Sequence, residues 1–161
     1  MKKKTAAKEI LSNKIEAKES SYLYLKTSQI PHAGQGLYTA IPIHKGEIIS
    51  VFKGEILTDR QSWNRANNGK DQYFVETADG KIMDSKKVKC FAKYANDAKG
   101  FSDSEYKNNS IIAIEEDDSI CLIAKKKIKK NEEIFCAYGK EYWRNQKAQI
   151  EKQKEVSSKK S

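Results

Sequence analysis

The stretch NEEIFCAYGKEYW (residues 131–143) combines the pattern of a short strand with a sharp break among aromatic side chains. Ile134 and Cys136 alternate with their neighbours as residues on one face of a strand do, and Gly139 ends the run. Three aromatic residues surround this glycine: Tyr138, Tyr142 and Trp143. Two interpretations are open, since these aromatics could form ordinary core or line a pocket for a flat or cationic group.

The length and composition of the chain favour a single domain. Its 161 residues are enough for one modest core, and 38% hydrophobic with 33% charged residues is a polar but not a disordered composition. No run approaches the roughly 18 consecutive apolar residues that a membrane span needs, and no apolar block follows the basic start. We therefore expect a soluble, intracellular protein, and the choice between nucleus and cytoplasm stays open.

The net charge of +9 could indicate nucleic-acid binding, so its position in the chain matters. Residues 1–20 contain six Lys and Arg against three acids, and residues 144–161 contain six against two. The remaining residues, 21–143, contain 19 basic and 17 acidic side chains, a net charge of only +2. Basic tails add salt-dependent, non-specific attraction to nucleic acid, but they do not make a domain that reads a nucleotide sequence.

The cysteines and histidines do not follow a pattern typical of a metal site. Cys90, Cys121 and Cys136 lie far apart without CxxC spacing, which argues against a disulfide framework and against structural zinc. His32 and His44 stand in turn-like stretches without a second ligand at metal spacing, and we expect them on the surface. The sequence therefore predicts no metal site.

Short runs rich in Ile, Val, Phe and Tyr recur along the chain and are bounded by Gly, Asn, Asp or Ser, as strands are. The predicted strands cover residues 21–26, 46–52, 72–77, 81–84, 110–114, 119–125 and 132–137. The connections are mostly too short for helical crossovers, so antiparallel hairpins are expected. The pair Asp79-Gly80 between two of these runs is a strong hairpin signal.

Helices are expected to be few. A capping box from Thr58 to Gln61 begins a predicted helix over residues 58–69, which ends at an Asn-Asn-Gly stop. Residues 87–95 are compatible with one or two helical turns. The predicted fold class is mostly β, with several small antiparallel sheets.

The chain is expected to have three parts. These are a basic extension with a weak helix over residues 1–20, a core domain over residues 21–143, and a basic helical tail over residues 144–161, whose helix begins near Gly139.

Two polar stretches are candidates for ligand binding. The glycines of Gly34-Gln35-Gly36 could let backbone N–H and C=O groups approach a ligand, although hairpin turns use the same pattern. The stretch is neither a dinucleotide fingerprint nor a P-loop, because GxGxxG and GK[ST] are both absent. Asn96-Asp97 follows the apolar CFAKYA and could form a C-cap or an Asx-turn, or the Asn96 amide could orient a ligand.

Taken together and in order, these stretches resemble the SET-domain protein lysine methyltransferases. The resemblance rests on GQGLYTA, IHKGEII, DQYF, the aspartate of KIMD, KYANDA, KNNS and IKKNEEIFCAYGKEYW. It covers about residues 28–143, almost the whole predicted core. It implies a SET-domain-like fold with a pseudoknot that binds S-adenosylmethionine on one face and admits a substrate lysine from the other through a narrow channel.

The resemblance also implies roles for individual residues. The cofactor-binding residues would be Ala33, Gly34, Gln35, Gly36, Tyr73, Asn96, Asp97, Tyr138 and Trp143. Tyr138 matches the catalytic tyrosine of the family, and Trp143 matches an aromatic that packs on adenine. Phe52 and Tyr142 fall in the substrate-lysine channel, and the family residue that Tyr142 matches influences how many methyl groups are added.

The chain departs from the family pattern at three places. Asp97 stands where histidine is usual, although the family uses mainly the backbone there. Phe52-Lys53-Gly54 replaces the family's YxG, so one channel hydroxyl is missing. The cysteine clusters that flank other SET domains are absent, so part of the channel is expected from residues 139–155 or from a partner subunit.

The sequence therefore predicts a protein-lysine N-methyltransferase that uses S-adenosylmethionine and modifies a histone-like tail or another basic protein, as a monomer or a homodimer. Two alternatives stay open. The departures at Phe52 and Asp97 fit a catalytically weak or inactive SET-like binding module, and the basic tails fit a protein associated with nucleic acid or chromatin.

Overall fold

The computed structural model describes residues 13–99 and 104–137, which form short strands with little helix. In chain order the elements are α1 (Glu19–Tyr22), β1 (Leu23–Thr27), β2 (Gln35–Thr39), β3 (Ile48–Val51), β4 (Glu55–Leu57), α2 (Asp59–Asn67), β5 (Phe74–Glu76), β6 (Ile82–Asp84), a 3₁₀ helix (Ala92–Tyr94), β7 (Ser110–Ile114), β8 (Ile120–Ala124) and β9 (Glu133–Ile134). All pairings between these strands are antiparallel. The mostly β fold class predicted from the sequence is confirmed.

The first sheet has the order β1-β2-β9 and places the glycine stretch beside the last described strand. Leu37 on β2 lies between Leu25 on β1 and Ile134 on β9. Leu37 and Ile134 are fully buried, so the apolar face of this sheet fixes its register. Gln35 at the start of β2 is thereby held at the edge of the core.

The second sheet, β3-β8-β7, is the apolar centre of the domain. Its middle strand β8 contributes Leu122, which is fully buried and pairs with Ile112 on β7 and Ser50 on β3. The described N-terminal segment joins this sheet, because Lys14 forms a parallel bridge with Ile48.

The third sheet, β4-β6-β5, is fastened to α2 by charged groups. The Arg65 guanidinium donates to the Asp84 carboxylate at 2.9 Å and to Glu55 at 3.2 Å. Asp84 is almost fully buried, and its other oxygen accepts from the Lys86 backbone N–H at 3.0 Å. A buried carboxylate with a donor to each of its two oxygens is well satisfied, so it fixes the position of the helix against the sheet.

Beyond β9 the chain passes between two segments that are distant in sequence. The Cys136 N–H donates to the Asn96 carbonyl at 2.8 Å, and the Phe135 carbonyl accepts from the Ser110 N–H at 3.0 Å. The N–H and C=O of one trans peptide point in opposite directions, so Asn96 and Ser110 flank the segment on its two edges. This arrangement is the knot-like crossing that the resemblance implies.

One core cluster unites the three sheets and the 3₁₀ helix. Tyr22, at the end of α1, belongs to it and donates its hydroxyl to the Ile49 carbonyl at 2.6 Å. Its fully buried members with large aliphatic side chains are Leu37, Ile43, Ile49, Leu122, Ile128 and Ile134. Within the described residues, no helix combines the length and apolar character needed to cross a membrane.

Two local predictions are confirmed. Thr58 accepts from the Gln61 N–H at 3.2 Å while the Gln61 side chain accepts from the Thr58 N–H at 2.9 Å, which is the predicted capping box. Gly80 has φ +80 in the hairpin between β5 and β6, where the Thr77 N–H donates to the Lys81 carbonyl at 2.8 Å.

Other boundaries differ from the predicted ones. The first strand begins at Leu23 rather than residue 21, because Tyr22 ends a helical turn and points into the core. β4 was not predicted, and β9 ends at Ile134 because the next two residues form only isolated bridges, to Asn96 and to Ser110 at the start of β7. Residues 14–18 are not helical. Residues 19 and 20 begin α1, whereas residues 1–12 of the predicted N-terminal helix and the whole predicted C-terminal helix lie outside the described residues.

Candidate functional site

The two glycines of the glycine stretch serve different purposes. Gly34 has φ +73, a conformation that side chains disfavour, and a Cβ there would meet no described atom within 4 Å. At Gly36 a Cβ would lie 2.2 Å from a carboxylate oxygen of Glu133. The first glycine therefore gives an open, exposed backbone turn, whereas the second makes room for a buried acid.

Asn96 connects the glycine stretch with the segment that follows β9. Its Nδ2 donates to the Gln35 carbonyl at 3.0 Å, and its own carbonyl accepts from the Cys136 N–H at 2.8 Å. The structure therefore brings together three predicted stretches that are far apart in sequence: residues 33–36, residues 96–97 and residues 133–137.

Asp97 shapes the loop that follows. Its Oδ1 accepts from the Lys99 N–H at 2.9 Å, the bond of an Asx-turn, and from the Asn108 side chain at 3.0 Å. Asn108 in turn accepts from the Ala98 N–H at 2.8 Å. The Asx-turn interpretation of this stretch is confirmed for Asp97, so aspartate has a structural reason to stand where the family has histidine.

Tyr73 lies in an aromatic pair beside a lysine. Its ring centroid is 6.5 Å from that of Tyr94, and the Lys93 ammonium lies 5.5 Å from the first centroid and 5.2 Å from the second. The Lys93 ammonium also donates to three backbone carbonyls, those of Ser85, Lys86 and Val88. Since each ammonium proton has an acceptor, this lysine fixes the two tyrosines and the loop together.

Phe52 belongs to the main core cluster, together with Cys90 and Ala92. It is 7% exposed, and its role at the edge of a lysine channel stays a prediction. Packing requires glycine at position 54, because a Cβ there would lie 2.6 Å from the Asp84 carbonyl oxygen.

Two cysteine thiols and a tyrosine hydroxyl of the core are held neutral by raised pKa values. Burial raises the pKa of the Cys136 thiol to about 12 and that of Cys121 to about 11. Burial, reinforced by the adjacent Glu133 carboxylate, raises the pKa of Tyr38 to about 12. A thiol is a nucleophile only as thiolate, so the arrangement does not support cysteine-based catalysis.

The remaining predicted site residues are Ala33 and three aromatic residues near the C-terminal end of the predicted core domain. Ala33 is half-buried and packs against the small cluster of Ile30, Ala98 and Phe135. The C-terminal aromatics Tyr138, Tyr142 and Trp143 lie outside the described residues.

The stretches that meet at Asn96 are also the ones that a family comparison matches. A family model described as SET domain covers residues 34–139, about two thirds of the chain. The chain belongs to the SET-domain family. SET domains are methyltransferases that generally use S-adenosylmethionine. A search of curated proteins found none that matches the chain.

The predictions assigned no role to two buried polar residues of this SET domain. Asn109 is 1% exposed, and its amide bonds the Glu133 carbonyl and the Phe135 N–H, both at 2.9 Å. Glu133 is fully buried. Both stand in stretches that carry the resemblance, KNNS and NEEIF, but the single sequence does not show which polar side chain of each stretch turns inward.

Metal-ligating residue types are dispersed in this SET domain. Within residues 13–99 and 104–137, no group of three or more His, Cys, Asp and Glu side chains could hold a metal ion. The three cysteines are free and buried, and His32 and His44 are exposed as expected.

Proposed function

We propose that this SET domain is a protein-lysine N-methyltransferase that uses S-adenosylmethionine. The observation that supports the proposal most directly is the meeting of three stretches at Asn96. This residue bonds Gln35 of the glycine stretch and Cys136 of residues 133–137. Tyr138, which matches the catalytic tyrosine, follows Cys136 by two residues in sequence.

The described residues fit the cofactor. The turn at Gly34 and Gln35 is exposed, and the space beside Gly34 is free of described side chains, as a backbone that contacts a ligand requires. Asn96 holds this turn from behind through the Gln35 carbonyl. When bound, S-adenosylmethionine supplies the electrophilic methyl group. Residues 33–36, Asn96, Asp97 and Tyr73 would hold it, with Trp143 against adenine.

The chain's own part in the reaction is to desolvate and align the substrate amine. A lysine has an unperturbed pKa of about 10.4, and a dry channel lowers the pKa by disfavouring the charged form. Both histidines are exposed, so neither is placed as a general base. In this proposal, rate enhancement comes from orientation in the absence of water, and the Tyr138 hydroxyl holds the reacting groups.

The proposed substrate is a lysine in a basic protein, such as a histone tail or a protein that packages DNA. The product bears one or more methyl groups on the ε-amine, and Tyr142 would influence their number. The basic residues of 1–20 and 144–161 would add non-specific attraction to a nucleic acid that carries such a substrate.

Replacement of Tyr138 by Phe tests the proposal. Removal of one aligned hydroxyl should lower kcat about 100-fold or more, while the Kd for S-adenosylmethionine changes little. The measurement is transfer of labelled methyl to a histone panel, together with calorimetry. Tyr24→Phe is the matched control, because its hydroxyl makes an exposed bond, to Asn131 at 3.1 Å, and Tyr24 is not among the proposed site residues. Equal activity of Tyr138→Phe and the control would remove Tyr138 from the mechanism.

A second candidate is a SET-like module that binds without catalysis. The phenylalanine at position 52 and the carboxylate of Asp97, bonded within its own loop, favour it. Calorimetry with S-adenosylmethionine separates the candidates, because failure of the chain to bind this cofactor would favour the binding module.

A further inference from the structure

Glu133 is a fully buried acid that the proposed reaction does not use. Its Oε1 accepts from the Ser28 hydroxyl at 2.6 Å, and its Oε2 accepts from the Gln29 N–H at 2.8 Å. The Tyr38 hydroxyl lies 3.2 Å from Oε2 and 2.8 Å from the Thr27 carbonyl. Both oxygens therefore face donors, which is the condition for keeping an acid inside a protein.

The bonds to Glu133 fasten the loop that leads into the glycine stretch. The Ser28 hydroxyl, while donating to Glu133, accepts from the Ile30 N–H at 3.1 Å. The Ser28 N–H donates to the Gly34 carbonyl at 2.8 Å, which closes the loop on itself. The carboxylate therefore holds both the start of this loop and, through Ser28, its end at Gly34.

The carboxylate also fills the space beside Gly36 on β2. At Gly36 a Cβ would lie 2.2 Å from Oε1, so only glycine leaves room for the acid. Tyr38 pairs with Glu133 across the sheet, and Leu37 pairs with Ile134. The Glu133 side chain thus links the paired strands β2 and β9 to the loop before the glycine stretch.

The adjacent Glu132 provides a natural comparison. Its carboxylate accepts from the Lys129 N–H at 2.7 Å within an exposed turn, and among the described residues this carboxylate forms no bond to a distant stretch. The two glutamates of NEEIF therefore have separate roles, one local and one between elements.

We propose that Glu133 is a positioning residue that sets the cofactor-binding turn at residues 33–36 relative to the strand that precedes Tyr138. This inference rests on the proposed function. If a ligand binds only when the loop is held in place, its apparent Kd rises as the fraction of molecules with the loop in place falls. Glu133 thus acts through the loop and contacts neither the cofactor nor the substrate.

Glu133→Gln tests this role at constant size. A carboxamide removes the negative charge, and with its NH₂ group toward Ser28 it no longer accepts from the Ser28 hydroxyl while its oxygen keeps the Gln29 bond. Because bonds to a charged acceptor are among the stronger ones, the Kd and KM for S-adenosylmethionine should rise about tenfold or more. The KM for a histone substrate should change less than about twofold, because the loop is on the cofactor side in the proposed function.

Two controls separate positioning from folding. General destabilisation would lower the amount of active enzyme and leave both KM values unchanged. Glu132→Gln should match the wild type in both KM values. Ser28→Ala, which leaves the carboxylate and its Gln29 bond in place, should raise the cofactor KM in the same direction but less, and it replaces Glu133→Gln if that variant does not fold.

The inference fails if folded Glu133→Gln, or Ser28→Ala in its place, keeps the wild-type Kd for S-adenosylmethionine while the wild type is active. If the wild type itself neither binds S-adenosylmethionine nor transfers methyl, the proposed function is wrong. This inference is then wrong as well, because it rests on the proposed function. The two failures are therefore distinguished by the wild-type assay.

Discussion

Gly34 and Gly36 are identical in type and only two positions apart, yet different forces require them. Gly34 is required by its backbone conformation, φ +73, with open space beside it. Gly36 is required by contact, because Glu133 occupies the place of its side chain. The sequence pattern GxG suggested only that the backbone approaches a ligand, and for Gly36 the structure shows a protein side chain instead.

Substitutions at the two glycines should separate these causes. Gly34→Ala is expected to cost about 1–2 kcal/mol of unfolding free energy because of its left-handed backbone, and Gly34→Asn less, since asparagine tolerates that conformation. Gly36→Ala should cost about 1–3 kcal/mol through overpacking, and Gly36→Asn more. Urea unfolding of the four variants measures this, and the same order of Ala and Asn at both positions would contradict the account.

At the scale of elements, the crossing around residues 135–136 depends on Asn109. This residue is 1% exposed, and its side chain both donates to the Glu133 carbonyl and accepts from the Phe135 N–H. An amide can do both, whereas a carboxylate can only accept. Asn109 therefore holds β9 in place beside the start of β7.

Asn109→Asp should weaken this junction. The change sets a carboxylate oxygen against the Glu133 carbonyl and buries a charge, so a loss of about 2–5 kcal/mol is expected in urea unfolding. Asn131→Asp is the control, because Asn131 is exposed and its side chain accepts from the Tyr24 hydroxyl, which a carboxylate can also do. Equal stability of the two variants would show that the amide is not needed at the crossing.

Elements with local signals were predictable, and those held by distant partners were not. The capping box at Thr58 and the turn at Gly80 follow from a few adjacent residues, and both are present. The strand pattern at 132–137 breaks after Ile134 because its next partners are single residues far away in sequence, Asn96 and Ser110 at the start of β7. The burial of Glu133 could not be predicted from the sequence either, since a glutamate is normally expected at the surface.

At the scale of the whole molecule, several groups that are neutral at physiological pH are buried in that form. Burial raises the pKa of Cys121 to about 11 and those of Cys136 and Tyr38 to about 12, and the pKa of Tyr22 is also raised. These groups ionise in the unfolded chain at lower pH than in the folded protein. Their contribution to stability is complete below the unfolded pKa values, and it decreases above them.

The free energy of unfolding should therefore decrease as the pH rises from about 8.5 toward 11, by about 1–3 kcal/mol in total. Urea unfolding at a series of pH values measures it. The double variant Cys121→Ala and Cys136→Ala should show a shallower decrease, because the two thiols no longer titrate. A stability that is constant up to pH 11 would contradict the buried positions of these groups.

Residues 33–36, 96–97 and 133–137 of the domain meet at one place. The proposed methyl transfer is assigned to this place. The most direct test is incubation of the full chain with S-adenosylmethionine and a panel of histones and other basic proteins, followed by mass spectrometry of the substrate lysines. A lysine methyltransferase should add methyl groups to lysine ε-amines. This methylation should require S-adenosylmethionine and should be lost in Tyr138→Phe. Absence of methylation across the panel, together with absence of S-adenosylmethionine binding in calorimetry, would contradict it.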